Sequence, residues 1–358
     1  PVNPKAQVVA SMKAYRSVEE IPDPVDLAVI VVPRDLVVSV AESCARKGVK
    51  GLVVITAGFR EVGGAGEDLE KRLQEIVREA GMRMVGPNCM GVVNTEPEFS
   101  LNASFSASSP LEGNIGFISQ SGALGEAILS SARALGLGLA MFVSMGNKAD
   151  VSGNDLLEYW EKDDRVKVIL LYLESVGSPL KFNTLARRIS HDKPIIMVKA
   201  GRTAAGARAA SSHTGSIVGR EMATAALLEQ CGVLRVGTIE EMFTLASAFA
   251  RQPLPDGPRT AVVTNAGGPG ILATDALVQQ GMTLATLGEE TRRRLGEALP
   301  PEASLGNPVD MIASATALDY RRTMEIVAED PAVDMILILN VTPPIGSGSL
   351  EVLEAISS

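Results

Sequence analysis

"GNIGFISQSGALGEAI" runs from residue 113 to residue 128: an apolar run, a polar corner, two glycines and a helix-like run. NIGFISQ has strand length and no polar alternation, so it reads as a strand buried on both faces. A strand that breaks at a glycine corner and continues as a helix is the repeating unit of a parallel α/β sheet. The pattern returns in "AVVTNAGGPGILA" (261–273), and "EKDDRVKVILLYLES" (161–175) has a counterpart in "AEDPAVDMILILNVT" (328–342). The offset is 145 positions for the first pair (118 to 263) and 166 for the second (169 to 335). The later part of the chain therefore reads as two copies of one unit. The second copy carries about twenty extra residues around "LPPEASLGNPVDM" (299–311).

The alternation extends in both directions. DLAVIVV (26–32), GLVVITA (51–57), VKVILLYL (166–173), PIIMVKA (194–200), RTAVVTN (259–265) and DMILILN (334–340) also read as doubly buried strands. RDLVVSVAESCARKG and GEDLEKRLQEIVREAG carry helical periodicity between them. SASSPLEGN (106–114) and RQPLPDGPR (251–259) break the pattern with Pro, Gly and Ser and read as linkers. The fold class is α/β, in three doubly wound parallel-sheet domains over 1–110, 111–252 and 253–358.

Composition narrows the function. The 358 residues are 46% hydrophobic and 21% charged, with a formal net charge of −9. No basic stripe offsets that charge, which argues against nucleic acid or an acidic membrane as partner. Cys44, Cys89 and Cys231 are far apart, with no metal-ligand spacing, and point to a reducing, cytoplasmic setting. No apolar run approaches the ~20 residues of a membrane span.

Two corners invite an anion. Ser121, Gly122 and Ala123 open one helix, and Gly267 and Gly268 open the other. The first turn of a helix leaves N–H groups unpaired, and its dipole is positive at that end. A third feature is "ARAASSHTGSIVG" (207–219). Of the 21 residues from Ala200 to Arg220, 15 are Ala, Gly, Ser or Thr, yet His213, one of only two histidines, sits among them. A neutral imidazole is a competent nucleophile toward phosphorus, given a carboxylate to orient it. Glu174, at the C-terminal end of VKVILLYL, stands where α/β sheets keep their ligands, although a strand-end carboxylate facing water is the plainer reading. His191, in RRISHDKP, reads as a solvated histidine at a helix C-terminus.

"GNIGFISQSGALGEAI", "MGNKADVSGNDLLEYW", "ILLYLES" and "ASSHTGSIVG" together resemble the α part of the nucleoside-diphosphate-forming acyl-CoA synthetases. That family includes ADP-forming acetate–CoA ligase and, more distantly, succinyl-CoA synthetase. The resemblance covers the whole chain and implies a Rossmann-like CoA-binding domain (1–110) followed by two flavodoxin-like ligase domains (111–252 and 253–358). It gives His213 the role of phosphohistidine, Glu174 that of its orienter, and the two corners that of a shared phosphate site.

In the first domain, "PVNPK", "VVPRD", "ITAGFREVG" and "GPNCMG" resemble the CoA-binding half. The resemblance implies CoA contacts at Asn3, Pro4, Lys5, Val32, Pro33, Ala57, Gly58, Asn88 and Cys89, and an acyl pocket at Asn88, Gly146 and Asn147. Cys89 reads as a small polarizable wall residue, the thiol chemistry belonging to CoA.

The implied reaction interconverts acyl-CoA, phosphate and ADP with a carboxylic acid, CoA and ATP. It brings in an oligomer and an ATP-grasp domain or β subunit that holds Mg-ADP or Mg-ATP, because these 358 residues show no GxxxxGK[ST] loop and no acidic magnesium site. No metal site is expected on the chain itself. The small-residue loop suits a group that must pass from one site to another. The resemblance also implies further chain at both ends: a first strand and glycine-rich CoA loop before PVNPK, and the rest of the third sheet after residue 358. The main rival is a CoA-binding regulatory module of a protein lysine acetyltransferase, in which the phosphohistidine is typically absent. A nicotinamide-dependent dehydrogenase is weaker, because no GxGxxG opens a Rossmann unit.

Overall fold

A computed structural model gives the fold, and the structure describes residues 1–201, 203, 221–342 and 348–357. His213 lies outside them. The described chain divides into two compact units, Pro1–Gln252 and Pro253–Ser358. Their boundary falls in the Pro-rich stretch read as a linker.

The first unit opens with a small hairpin, β1 (Val8–Val9) and β2 (Met12–Lys13). A parallel sheet follows in the order β3 (Leu27–Ile30), β4 (Gly51–Val54), β5 (Arg83–Val85). Helices α1 (Arg34–Lys47) and α2 (Ala65–Glu79) connect these strands and bury Ile30, Leu52, Val54 and Met84 in one core with Val37, Leu73 and Ile76. The opposite face is covered only over β4 and β5, where Val53 and Val85 meet Cys89, Val92 and Ala103. Nothing among the described residues covers it over β3, so Leu27 and Val29 are 36% and 45% exposed. This corrects the expectation that DLAVIVV is buried on both faces.

The central sheet is the fold's backbone. Its strands are β6 (Gly91–Asn94), β7 (Leu101–Ser104), β8 (Leu111–Ser119), β9 (Gly138–Ser144), β10 (Val168–Leu173), β11 (Ile195–Lys199) and β12 (Leu234–Val236), in the order β12-β11-β10-β8-β9-β6-β7. Strands β8 to β12 are parallel. Counted from β8, their order is 2-1-3-4-5, the flavodoxin-like winding, with its switch point between β8 and β10. Strand β6 pairs antiparallel to β9 and β7, so residues 91–104, counted above with the first domain, extend the second domain's sheet.

Alternation along the strands feeds two cores, as a period of two requires. Ile118, Val143, Ile169, Leu171, Ile195 and Met197 pack against α4 (Gly153–Glu161), α5 (Pro179–Ile189) and α6 (Glu221–Gln230). Phe117, Phe142, Leu170 and Ile196 pack against α3 (Gly122–Ala134) and α7 (Ile239–Arg251). Gly116 breaks the run of bulky residues in β8 for a steric reason. A Cβ there would lie 2.8 Å from the ring of the fully buried Trp160.

The second unit holds β13 (Arg259–Thr264), α8 (Gly267–Gln279), β14 (Thr283–Leu284), α9 (Glu289–Ala298), β15 (Val309–Asp310), α10 (Ala317–Ala328), β16 (Met335–Leu339) and α11 (Ser349–Ser357). It repeats the first copy down to single hydrogen bonds. Ser119 Oγ donates to Ser121 O at 2.7 Å, and Thr264 Oγ1 donates to Ala266 O at 3.1 Å, 145 positions on. Met145 N donates to Ser119 O, and Met311 N to Thr264 O, 166 positions on. Whereas β9 runs along the whole edge of β8, the same edge of β13 is shared by β14 at its start and β15 at its end. The extra residues are therefore an insertion, centred on α9, that splits the second strand of the unit. The pairing of β16 sets Thr264 opposite Leu339 as Ser119 is set opposite Tyr172, an offset of 167. The matched strings, 161–175 and 328–342, differ by the same 167, so the 166 counted from 169 to 335 is one short.

Candidate active site

Loops at the C-terminal ends of β3, β4 and β5 meet along one edge. Thr56 Oγ1 donates to Val32 O at 2.7 Å, and Asn88 N donates to Thr56 O at 3.0 Å, so the three loops are tied in series. Val32, Pro33, Ala57, Gly58, Asn88 and Cys89 are thereby brought together. Cys89 is buried, its Sγ donates to Val54 O at 3.3 Å, and burial pushes its thiol up to about 12. Such a thiol stays protonated at neutral pH and is no nucleophile. Asn3, Pro4 and Lys5 lie elsewhere. Asn3 Oδ1 accepts from Lys5 N at 2.9 Å, and Pro4 and Lys5 line a separate cavity of about 350 Å3 with Lys13 and Arg16. Lys5, Lys13 and Arg16 outnumber the one carboxylate in its lining, Glu20, which suits it to an anion.

The corner after β8 lies at the switch point. Ser121 caps α3, its Oγ accepting from Leu124 N at 3.4 Å, so Gly122 and Ala123 form the first helical positions. Glu174, directly after β10, is 9% exposed and thus a buried carboxylate, not the water-facing one of the plainer reading. Gln120 joins the two strand ends. Its N–H donates to Tyr172 O at 2.9 Å, while its Oε1 accepts from Glu174 N at 3.0 Å, Ser175 N at 3.3 Å and Lys148 Nζ at 3.2 Å.

A second network fastens this corner to the first sheet. Asn147 Nδ2 donates to Glu61 Oε2 at 2.6 Å and Glu70 Oε2 at 2.8 Å, and its Oδ1 accepts from Asn88 Nδ2 at 3.3 Å. Arg60 pairs with the buried Glu70 at 3.5 Å and donates to Asn147 O. Both N–H groups of the Asn147 amide are taken by carboxylates, and its oxygen already accepts one bond, so it shapes the corner. Gly146 is required here by its backbone. It has φ 55°, and a Cβ would fall 2.2 Å from Pro87 O and 2.4 Å from Asn88 O. Gly146→Ala is expected to cost roughly 2–4 kcal/mol, since it adds a clash with backbone to a left-handed conformation. Urea denaturation checks this; an unchanged midpoint would mean that the loops do not pack this tightly.

The second copy keeps the corner but not its carboxylate. Gly267 and Gly268 open α8 behind Ala266, which makes no side-chain cap. Asn265 bridges to Val341, so valine stands where the first copy has Glu174. The carboxylate of Asp310 also lies 3.1 Å from where a Cβ on Gly267 would sit, which weakens that end as an anion site. His191 is 87% exposed beside Asp192, as a solvated histidine should be.

Sequence reading missed Gln120, Lys148, Arg60, Glu61 and Glu70. Glu70 had a usable signal. It shares a helix face with Gly66, Leu73 and Val77, all buried, and a charge on an apolar face needs a partner.

Three family models match the chain: a CoA binding domain over residues 1–95, a succinyl-CoA ligase like flavodoxin domain over 112–249, and a ligase-CoA domain over 260–355. The chain is 46% identical over 343 residues to the alpha subunit of ADP-forming acetate–CoA ligase II of Pyrococcus furiosus, covering 96% of this chain and 74% of that one. It is 42% identical over 355 residues to ADP-forming acetate–CoA ligase I of Archaeoglobus fulgidus, covering 99% of this chain but only 51% of the relative. Among solved structures, acetyl-coenzyme A synthetase 1 of Ca. Korarchaeum cryptofilum, described as dinucleotide forming and in complex with phosphate and ADP, superimposes with a TM-score of 0.92 at 39% identity, over 100% of this chain and 76% of that one. Together with the flavodoxin-like winding and its buried corner, these matches establish that the chain belongs to the family of ADP-forming acetate–CoA ligases.

Proposed function

We propose that this chain is the α part of an acid–thiol ligase that interconverts acyl-CoA, phosphate and ADP with a carboxylic acid, CoA and ATP. The observation that carries the reading is the switch-point corner, where the capped N-terminus of α3 adjoins the buried Glu174, whose backbone N–H donates to Gln120. A helix N-terminus favours phosphate, and a buried carboxylate favours an imidazolium beside it.

In the proposed sequence, residues 1–110 hold CoA, with the edge loops at its thiol end and the cavity of Lys5, Lys13 and Arg16 for its phosphates. Phosphate at the Ser121–Ala123 turn attacks the thioester carbonyl. The C–S bond breaks, CoA leaves as thiolate and takes up a proton, and an acyl phosphate remains. Nε2 of His213 then attacks phosphorus, the bond to the acyl oxygen breaks, and the carboxylate departs. Glu174 holds the imidazole through Nδ1–H and stabilises the cation that forms.

Transfer from His213 to ADP belongs to an ATP-grasp domain, fused or on a β subunit. ADP turnover should therefore appear only when that part is supplied. ATP formation by the chain alone, at a rate comparable to the mixture, would sink the shuttle.

A further inference from the structure

Residues 145–151 bond to both large sheets of the first unit. Met145 N donates to Ser119 O at the end of β8. The next odd-numbered residues turn to β5 and the loop after it: Asn147 N donates to Pro87 O at 2.9 Å, Ala149 N to Gly86 O at 3.1 Å and Val151 N to Met84 O at 3.0 Å. Backbone bonds thus fasten the loop after β5 to the switch-point corner. The loop after β4, which carries Gly58, makes no backbone bond to this segment among the described residues. Its hydrogen bonds to the segment end on Asn147, through Glu61 Oε2, which accepts from Asn147 Nδ2 at 2.6 Å, and through Arg60, which donates to Asn147 O.

An amide is the group this junction needs. It has two N–H donors for the two carboxylates, Glu61 and Glu70, and an oxygen left to accept from Asn88. Asn147 is 5% exposed, so little water competes for these bonds. Glu61 in turn closes its own loop, Oε1 accepting from Gly58 N at 2.6 Å and Oε2 from Phe59 N at 3.1 Å. Burial alone would push the Glu61 carboxyl up, but the bonds from Asn147, Gly58 and Phe59 outweigh it and hold the group below its ordinary value. On the other side of the same peptide, Lys148 Nζ donates to Gln120 Oε1 at 3.2 Å. A continuous run of contacts leads from Gly58 through Glu61, Asn147 and Lys148 to Gln120 at the corner.

We propose that Asn147 and Glu61 are positioning residues, which set the loop after β4, and the thioester beside it, at the distance from the Ser121 turn that attack by phosphate requires. The assignment rests on the reaction proposed above. In the step concerned, a phosphate oxygen bonds to the thioester carbonyl carbon, the C–S bond breaks, and the CoA thiolate takes up a proton. That step needs both sites at once. CoA binding uses the edge loops alone, and phosphoryl transfer to His213 uses the corner alone. The tie should therefore matter to one step and spare the other two events.

Two substitutions cut the tie without changing volume much. Asn147→Asp replaces the donating nitrogen by an oxygen and sets a third carboxylate beside Glu61 and Glu70. Glu61→Gln keeps a single oxygen, so it loses either Gly58 N or the Phe59 and Asn147 donors. We would assemble each variant with the ATP-grasp partner, omit nucleotide, and confirm folding by thermal melts. Three readings follow: single-turnover CoA release from acetyl-CoA and phosphate, phosphorylation of His213 by acetyl phosphate, and CoA affinity by calorimetry. The maximal rate of CoA release should fall by about 10²-fold in both variants, the cost of misplacing reactants by about 1 Å. Half-saturation by acetyl-CoA, CoA affinity and phosphorylation by acetyl phosphate should each stay within about threefold of wild type.

Equal losses in every reading would make the pair structural. A change confined to half-saturation would make it part of CoA binding, and an unchanged rate of CoA release would show that the loop needs no tie. Each of these overturns the assignment. If wild type releases CoA but never phosphorylates His213, and both variants are slow, the tie stands and the phosphohistidine falls. Normal phosphorylation with wild-type CoA release in both variants does the reverse.

Discussion

His213→Ala, assembled with its ATP-grasp partner, is expected to lose ATP formation from acyl-CoA, phosphate and ADP by on the order of 10⁴-fold or more. The loss should be this large because, in the proposed sequence, the histidine makes and breaks a covalent bond. Removing it deletes a step and does not merely weaken one. CoA binding should stay within a factor of about two, since the proposed contacts at Val32, Pro33, Ala57, Gly58 and Asn88 belong to loops tied to one another by Thr56 and Asn88. Isotope-labelled ATP formation and a CoA titration on the same preparation read both halves. ATP formation at the ordinary rate would remove His213 from the mechanism.

Glu174→Gln should lower the rate of phosphoryl transfer by about 10²–10⁴-fold while leaving the fold intact. The substitution keeps shape and volume, and the backbone N–H of residue 174 can still donate to Gln120 Oε1. What changes is charge. A buried carboxylate beside an imidazole stabilises the imidazolium strongly, because little solvent screens it, whereas an amide offers only a dipole. The same charge opposes the effect of burial on Lys148, so the variant should also lower the pH at which the Lys148 ammonium titrates. Single-turnover phosphorylation and an NMR pH titration of Lys148 measure the two effects. Wild-type rates with an unshifted profile would show Glu174 to be a structural carboxylate.

How much of this was legible in the sequence follows from range. The strand–corner–helix units were plain, because a doubly buried strand must be apolar throughout and a βα turn between strand and helix favours glycine. The repeat was visible for the same reason, and even the place of the insertion was close. Strands β1, β2, β5, β6, β7, β12, β14 and β15 went unread, being two to four residues long and fixed by pairing across the sheet rather than by local pattern, and the seven-residue β9 went unread as well. The attachment of residues 91–104 to the central sheet is likewise a long-range event. In the site, Glu174 and Ser121 were legible from position alone. Gln120 and Lys148 were not, because their roles depend on which strand end faces which, and that is settled by the order of β8 and β10. Asn147 was read as lining the acyl pocket; in the structure its amide bonds to Glu61, Glu70 and Asn88.

The most direct test of the central claim is to incubate the chain with acyl-CoA and radiolabelled phosphate, without nucleotide, and to locate the label by peptide mass spectrometry. The account predicts one acid-labile, base-stable phosphate on His213, appearing with free CoA and carboxylic acid in equal amounts and absent from His213→Ala. Label on another residue, or release of CoA and acid with no phosphorylated protein at any time point, would contradict it.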